Sequence, residues 1–145
     1  MKIDFGARWE GYHADMTRTV AFGDPGSHMK DVYEVVRRSQ QAGIDAVHAG
    51  IRGMDVDAVA REIIDAAGFG DSFTHGLGHG VGLEIHEGPT LATTIEEEVP
   101  AGAVVTVEPG IYLPGEGGVR IEDMVVVTAD GCRVLPSTGK ELVIV

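Results

Sequence analysis

Four carboxylates in this sequence stand where a folded chain places apolar side chains. Asp15 lies among Ala14, Met16, Thr17 and Val20, Glu108 ends the apolar run Ala103–Val107, and Glu122 falls between Ile121 and the apolar stretch Met124–Val127. Asp4 sits between Ile3 and Phe5. A buried carboxylate needs a partner. Arg18 is a poor one for Asp15, because the two-residue period of a strand turns the two to opposite faces. Taken singly, each of the four reads better as an exposed strand position or half of an ion pair. Together they read as ligands of a cation, which removes the repulsion that facing carboxylates otherwise suffer.

Histidines add a second donor type. The stretch His75–Pro89 holds His75, His79 and His86 among five glycines, and glycine lets backbone approach a ligand closely. Each of these histidines also has a plain structural reading as a hydrogen-bonded side chain. One imidazole with four carboxylates suits a hard-to-borderline dinuclear centre. A structural zinc would use cysteines, and Cys132 is the only cysteine. It reads as structural or incidental, and alone it excludes an internal disulfide. His13, His28 and His48 read as surface residues.

Strands must position such a set. Residues 2–9 and 12–22 read as a hairpin joined at Glu10-Gly11, with His13, Asp15, Thr17 and Thr19 on one face. Two helices follow. Val32, Val35, Val36, Gly43, Ala46 and Val47 recur at helical spacing behind Ser27 as N-cap. Val56, Val59, Ala60, Ile63 and Ala67 recur behind Asp55 as the second cap, with Gly68 as the stop. Residues 73–84, 103–112 and 118–128 read as strands punctuated by Gly and Pro. The order of strand pair, helix pair and strand group predicts an α+β fold, a mainly antiparallel sheet with helices on one face.

Composition sets the outer bounds. With 145 residues, 43% of them hydrophobic, the chain fits one domain with a real core. Its apolar runs are only a few residues long, too short for a helical membrane span. The segment Met1–Gly6 shows no basic region followed by an apolar stretch, so it reads as no secretion signal. A net charge of -12 argues against nucleic acid and anionic membranes as partners and reads as a cytoplasmic protein.

The contexts of these residues resemble those of one family. Asp4-Phe5-Gly6-Ala7 and Ala14-Asp15-Met16-Thr17-Arg18-Thr19 resemble the first and second ligand strands of the pita-bread-fold metallopeptidases, with the same eleven-residue separation of the two aspartates. Gly78-His79-Gly80-Val81-Gly82 resembles the family's histidine motif. Val107-Glu108-Pro109-Gly110-Ile111-Tyr112 and Gly118-Val119-Arg120-Ile121-Glu122-Asp123 resemble its two glutamate motifs. That family includes methionine aminopeptidase, aminopeptidase P, prolidase and the metal-free creatinase. Gly82-Leu83-Glu84-Ile85-His86-Glu87 and Arg120 resemble the prolidase and aminopeptidase P branch, and the ordered ligands count against creatinase.

The resemblance implies an α+β pita-bread (creatinase/aminopeptidase) fold with a curved, mainly antiparallel sheet. It implies that Asp4 binds one divalent ion, that Asp15 and Glu122 bridge a pair, and that His79 and Glu108 bind the other. Manganese is the first expectation, with cobalt, zinc or iron as alternatives. The implied reaction is hydrolysis of an Xaa-Pro peptide bond by a metal-bridging hydroxide. In it Glu108 doubles as proton shuttle, His75 and His86 contact a proline-containing peptide and its oxyanion, and Arg120 orients a ligand carboxylate. Family members carry more catalytic domain ahead of the first ligand strand. Residues 1–145 therefore read as the C-terminal part of that domain, N-terminally truncated and forming a homo-oligomer. Two alternatives stand beside this. One is a non-enzymatic peptide-binding module. The other is an inactive or weakly active fragment that keeps the fold and the ligands and oligomerises.

Overall fold

The computed structural model describes all of residues 1–145. The hairpin forms as its alternation predicts. Strand β1 (Lys2–Trp9) pairs antiparallel with β2 (Tyr12–Ala21), and the turn holds Glu10 and Gly11 at φ 50° and 94°. Two successive positive φ values match the right-handed twist of the flanking strands. The register sets Asp4 opposite Thr17 and Gly6 opposite Asp15, so the two aspartates lie diagonally on one face. Gly6 is needed there, since a Cβ would meet the Ala14 carbonyl oxygen at 1.9 Å.

Helices α1 (Gly26–Ala46) and α2 (Gly53–Ala66) follow, each without the expected cap. At α1, Asp24 and not Ser27 receives the first free N–H, that of Gly26, at 3.2 Å, because Pro25 turns the chain one residue earlier. At α2, Arg52 holds the cap position and Asp55 lies within the first turn, spent on a two-pronged pair with Arg52. Gly68, at φ 85°, does stop that helix. Of the inner face expected for α1, Val32, Val35, Val36 and Gly43 are buried and Ala46 is half-buried, while Val47 is buried just past the helix as its C-cap. On α2 the inner face is Val56, Ala60 and Ile64, while Val59 and Ala67 are exposed. Asp57 takes an inner position on α2 and turns its apolar stripe by one residue.

The three longer strands expected after the helices are all shorter. Of 73–84, only β3 (Gly78–Gly80) pairs, because the glycine-rich chain bends on both sides of it. The stretch 103–112 divides into β5 (Val104–Val107) and β6 (Gly110–Leu113), since Pro109 has no N–H to continue the ladder. The stretch 118–128 divides at Ile121-Glu122 into β7 (Gly117–Arg120) and β8 (Asp123–Thr128). Strands β4 (Glu87–Leu91), β9 (Gly131–Val134) and β10 (Val143–Ile144) complete the chain.

Three sheets result, ordered β1-β2-β10, β4-β3-β5-β8-β9 and β6-β7. Every pair but β2–β10 is antiparallel. The helices pack on one another and on the five-stranded sheet at Gly43, where a Cβ would meet Val107 at 2.9 Å and Leu77 at 3.3 Å. Burying this one continuous apolar cluster, from Val32 through Ile64 to Val127, is the main driving force for the fold. Its consequence for function is the meeting of β2, β3, the end of β5 and the β7–β8 junction. No helix is long and apolar enough to cross a membrane.

Candidate metal centre

Each of the five candidate ligands is carried to that meeting point by a backbone reason. Asp4 and Asp15 come from the hairpin face. His79 is the middle residue of β3, and Gly78 and Gly80 beside it are obligatory, because a Cβ would lie 2.0 Å from the Thr106 carbonyl oxygen and 2.3 Å from that of Gly88. Glu108 is the first residue past β5, where its N–H donates to Leu77 O at 2.8 Å. Glu122 sits in the β7–β8 junction, with its N–H donating to Thr17 O at 3.0 Å.

Their donor atoms fall into two overlapping groups. Those of His79, Glu108 and Glu122 lie within 4.8 Å of one another, and so do those of Asp4, Asp15 and Glu122. Glu122 is the shared member. Asp15 also approaches the second group, at 3.8 Å from His79 Nε2. A further group joins Asp15 and His79 to His86, whose exposed ring stands edge-on to His79 at 4.1 Å. The site opens to solvent through a cavity of about 450 Å³ with Phe5 and Ile85 on its wall.

Hydrogen bonds preset the donors. His79 Nδ1 donates to the Gly80 carbonyl at 3.0 Å, which leaves Nε2, 3.1 Å from Glu108 Oε1, as the nitrogen turned toward the carboxylates. Thr17 Oγ1 donates to Glu122 Oε2 at 2.6 Å, and Thr106 Oγ1 to Glu108 Oε1 at 2.9 Å. Glu122 is 1% exposed, and its other oxygen, Oε1, is buried without any partner. An orphaned buried carboxylate oxygen is costly, and a bound cation is the partner its surroundings suit.

Proton affinities carry the same signature. Burial, then the nearby Glu108 and Asp15, push the Glu122 carboxyl up to about 7. Burial and the Asp4 carboxylate raise Asp15. Burial also disfavours the charged form of Glu108, but its bonds with His79 and Thr106 outweigh that and lower it. His79 is raised despite burial, through Glu108, the Gly80 carbonyl and Asp15. A divalent ion would supply the positive charge that protons supply here.

The other expected residues stand around this set. Arg120 donates to Asp4 through Nη2, to Thr17 Oγ1 at 3.1 Å, and to Tyr112 OH at 3.4 Å. It thus holds the most exposed of the four carboxylates. His75 donates from Nδ1 to Gly76 O at 2.7 Å and accepts the Tyr112 hydroxyl proton on Nε2 at 2.8 Å, beside the ligands rather than among them. Of the histidines expected at the surface, His28 and His48 are exposed, but His13 is half-buried, near Gly82 O at 3.4 Å. Cys132 is a free, half-buried thiol whose Sγ lies 3.4 Å from Ile44 O.

Thr17, Thr106 and Tyr112 were not among the expected site residues. The first is recoverable from period two, because it shares a face with Asp15. Tyr112 has no such signal; its hydroxyl reaches Arg120 only because β6 pairs with β7, setting Gly110 opposite Arg120.

Known proteins resemble this chain closely. A sequence model of metallopeptidase family M24 matches residues 1–129. The Xaa-Pro dipeptidase of Pyrococcus furiosus is 46% identical over 140 residues, 97% of this chain and 40% of that protein. The structure of an Xaa-Pro dipeptidase from Bacillus anthracis superposes with a TM-score of 0.98 at 46% identity, over 99% of this chain and 41% of that one. An X-Pro aminopeptidase from Thermotoga maritima gives 0.96 at 44% identity, over 99% and 41%. The α+β, pita-bread architecture is therefore as expected, and the chain spans about two fifths of the length of the curated relatives it matches.

Proposed function

Because the chain belongs to metallopeptidase family M24, we propose that it forms the metal-binding part of an enzyme that hydrolyses Xaa-Pro peptide bonds. The observation that carries this reading is Glu122, whose unpartnered Oε1 lies at the point shared by two groups of donors. Two groups with a common carboxylate suit a pair of divalent ions, manganese first, with cobalt, zinc or iron as alternatives. Asp4, Asp15, Glu122, His79 and Glu108 would hold them. When bound, such a pair supplies a water acidified toward neutral pH and a Lewis acid for the substrate carbonyl.

The chain's own residues do the rest. His79 is fixed in its ligating tautomer by Gly80 O. Glu108, at the cavity wall and bonded to Thr106, is placed to carry a proton between water and leaving amine. Arg120 keeps the Asp4 carboxylate oriented. His86 stands at the cavity mouth, where it can donate to a peptide oxygen as negative charge develops there. His75, held by Tyr112, lies in the neighbouring part of the cleft with Arg120 and Glu108. Xaa-Pro dipeptidase activity in the named relatives supports a short proline-containing peptide as substrate. The net charge of -12 supports a soluble, cytoplasmic setting.

Elemental analysis after loading with Mn²⁺ tests the metal assignment, and an Xaa-Pro dipeptide assay tests the reaction. About two ions per chain are expected, with loss of binding in the His79→Ala, Glu108→Ala double variant. Binding that survives that double variant would refute the ligand set. Metal affinity should also weaken as pH falls. Glu122 is pushed up to about 7, and His79 and Asp15 are raised as well, so protons compete with the ion as pH falls through neutrality.

A further inference from the structure

Behind the candidate metal ligands lies a second, fully connected set of charges. On β2, Asp15 and Thr17 face the site while Arg18 faces away, and at the β7–β8 junction Glu122 faces the site while Asp123 faces away. Contacts form on both sides of this double layer. In front, Thr17 Oγ1 donates to Glu122 Oε2 at 2.6 Å; behind, Arg18 Nη2 donates to Asp123 Oδ1 at 2.6 Å. Asp123 is fully buried and Arg18 is 8% exposed.

All five N–H donors of Arg18 are used. Nε donates to Gly139 O at 3.0 Å. Nη1 donates to Thr17 O at 2.9 Å and to Glu122 O at 2.6 Å. Nη2 takes Thr138 O at 3.0 Å besides Asp123. The second oxygen of Asp123 accepts from Gln40 Nε2 at 3.0 Å and Lys140 Nζ at 2.7 Å. A buried ion pair adds little net stability over apolar side chains of the same volume. Stability alone therefore leaves this arrangement unaccounted for. Its geometry does account for it: Nη1 spans the backbone carbonyls of Thr17 and Glu122, the two residues whose side chains meet on the front face.

We infer that Arg18 and Asp123 are positioning residues for Glu122, an inference that rests on the metal-site reading above. The planar fork fixes the Glu122 backbone against β2 and holds its carboxylate where both donor groups share it, against repulsion from Asp15 and Glu108. Lysine cannot replace the fork, since it keeps the charge but lacks the plane and two of the donors.

The test measures Mn²⁺ dissociation constants and the visible absorption of the Co²⁺-loaded protein for wild type, Arg18→Lys, Asp123→Asn and Ile64→Val. The last is a core change remote from the site, which controls for loss of stability. The expected result is a 10- to 100-fold weaker Mn²⁺ affinity, about the range for residues that orient metal ligands, and an altered Co²⁺ spectrum in both polar variants. Ile64→Val should keep the wild-type values. Wild-type affinity and spectrum in Arg18→Lys and Asp123→Asn would overturn the inference. So would an equal loss in Ile64→Val, or a failure of both polar variants to fold, because the pair would then serve the fold alone. A wild-type chain that binds no Mn²⁺ would instead sink the metal-site reading beneath it.

Discussion

Burial, with Glu108 and Asp15 close by, lifts the Glu122 carboxyl from an ordinary 4.5 to about 7. The sign of the consequence follows from linkage. Between those two values the folded protein keeps a proton that the unfolded chain has released, so stability falls as pH rises through the window. Above it, the cost is up to about 3 kcal/mol. Glu122→Gln removes the charge but keeps the size and an acceptor for Thr17. In a chelator at pH 8 this variant should melt above the wild type, and the gap should close by pH 4.5. With Mn²⁺ present the order should reverse, because only the wild type gains binding energy. Melting curves across pH with and without Mn²⁺ measure both; a variant no more stable than wild type in the chelator would show that Glu122 is not strained.

At the scale of elements, the loop that delivers His75 and His79 is fastened to α2. Asp57, fully buried, accepts from Arg61 at 2.7 and 3.0 Å and from the Leu77 N–H at 3.0 Å. Arg61 in turn donates to Phe73 O and His75 O and lies over the Phe73 ring at 4.1 Å. Asp57→Ala leaves both a guanidinium and an amide without their partner, at a cost of about 3–5 kcal/mol. Denaturant titration measures that cost, and hydrogen exchange should show the Leu77 amide losing protection. Strand β3 sets a different limit. Gly78→Ala would drive a Cβ into the Thr106 carbonyl, forcing β3 from β5 and moving His79. Mn²⁺ titration should show weakened binding with α-helical circular dichroism unchanged, and wild-type affinity would mean that the strands separate without shifting the histidine.

For the molecule as a whole, the hairpin combines an open strand edge with a charge that opposes pairing there. Strand β1 is an edge strand in its sheet, and Phe5, Trp9 and Tyr12 are 54%, 78% and 63% exposed. Open edges and exposed aromatic side chains favour pairing with another chain. A net charge of -12 on each copy opposes it. Self-association, as a homo-oligomer requires, should therefore strengthen with added salt, which screens the repulsion and leaves apolar burial intact. Sedimentation velocity at low and high ionic strength measures this, and Trp9→Lys should weaken the association. A monomer at every salt concentration would refute the oligomer.

Much of the site was legible along the chain because its information is local. Strand alternation put Asp15 and Thr17 on one face, and isolated charges inside apolar runs marked Glu108 and Glu122. The glycines around His79 signalled close backbone approach, which the contacts of Gly78 and Gly80 display. Helix starts were less legible, because Asp24 and Arg52 outcompeted Ser27 and Asp55 through contacts that spacing does not rank. The long strands broke where Pro109 and Glu122 leave the ladder for another sheet. What only the tertiary structure decided was pairing at a distance. Arg18 and Asp123 are separated by 105 residues, and Tyr112 reaches His75 across 37. Residue type and period say which face a side chain takes, but the partner waiting there is set by how the hairpin, the helices and the later strands close on one core.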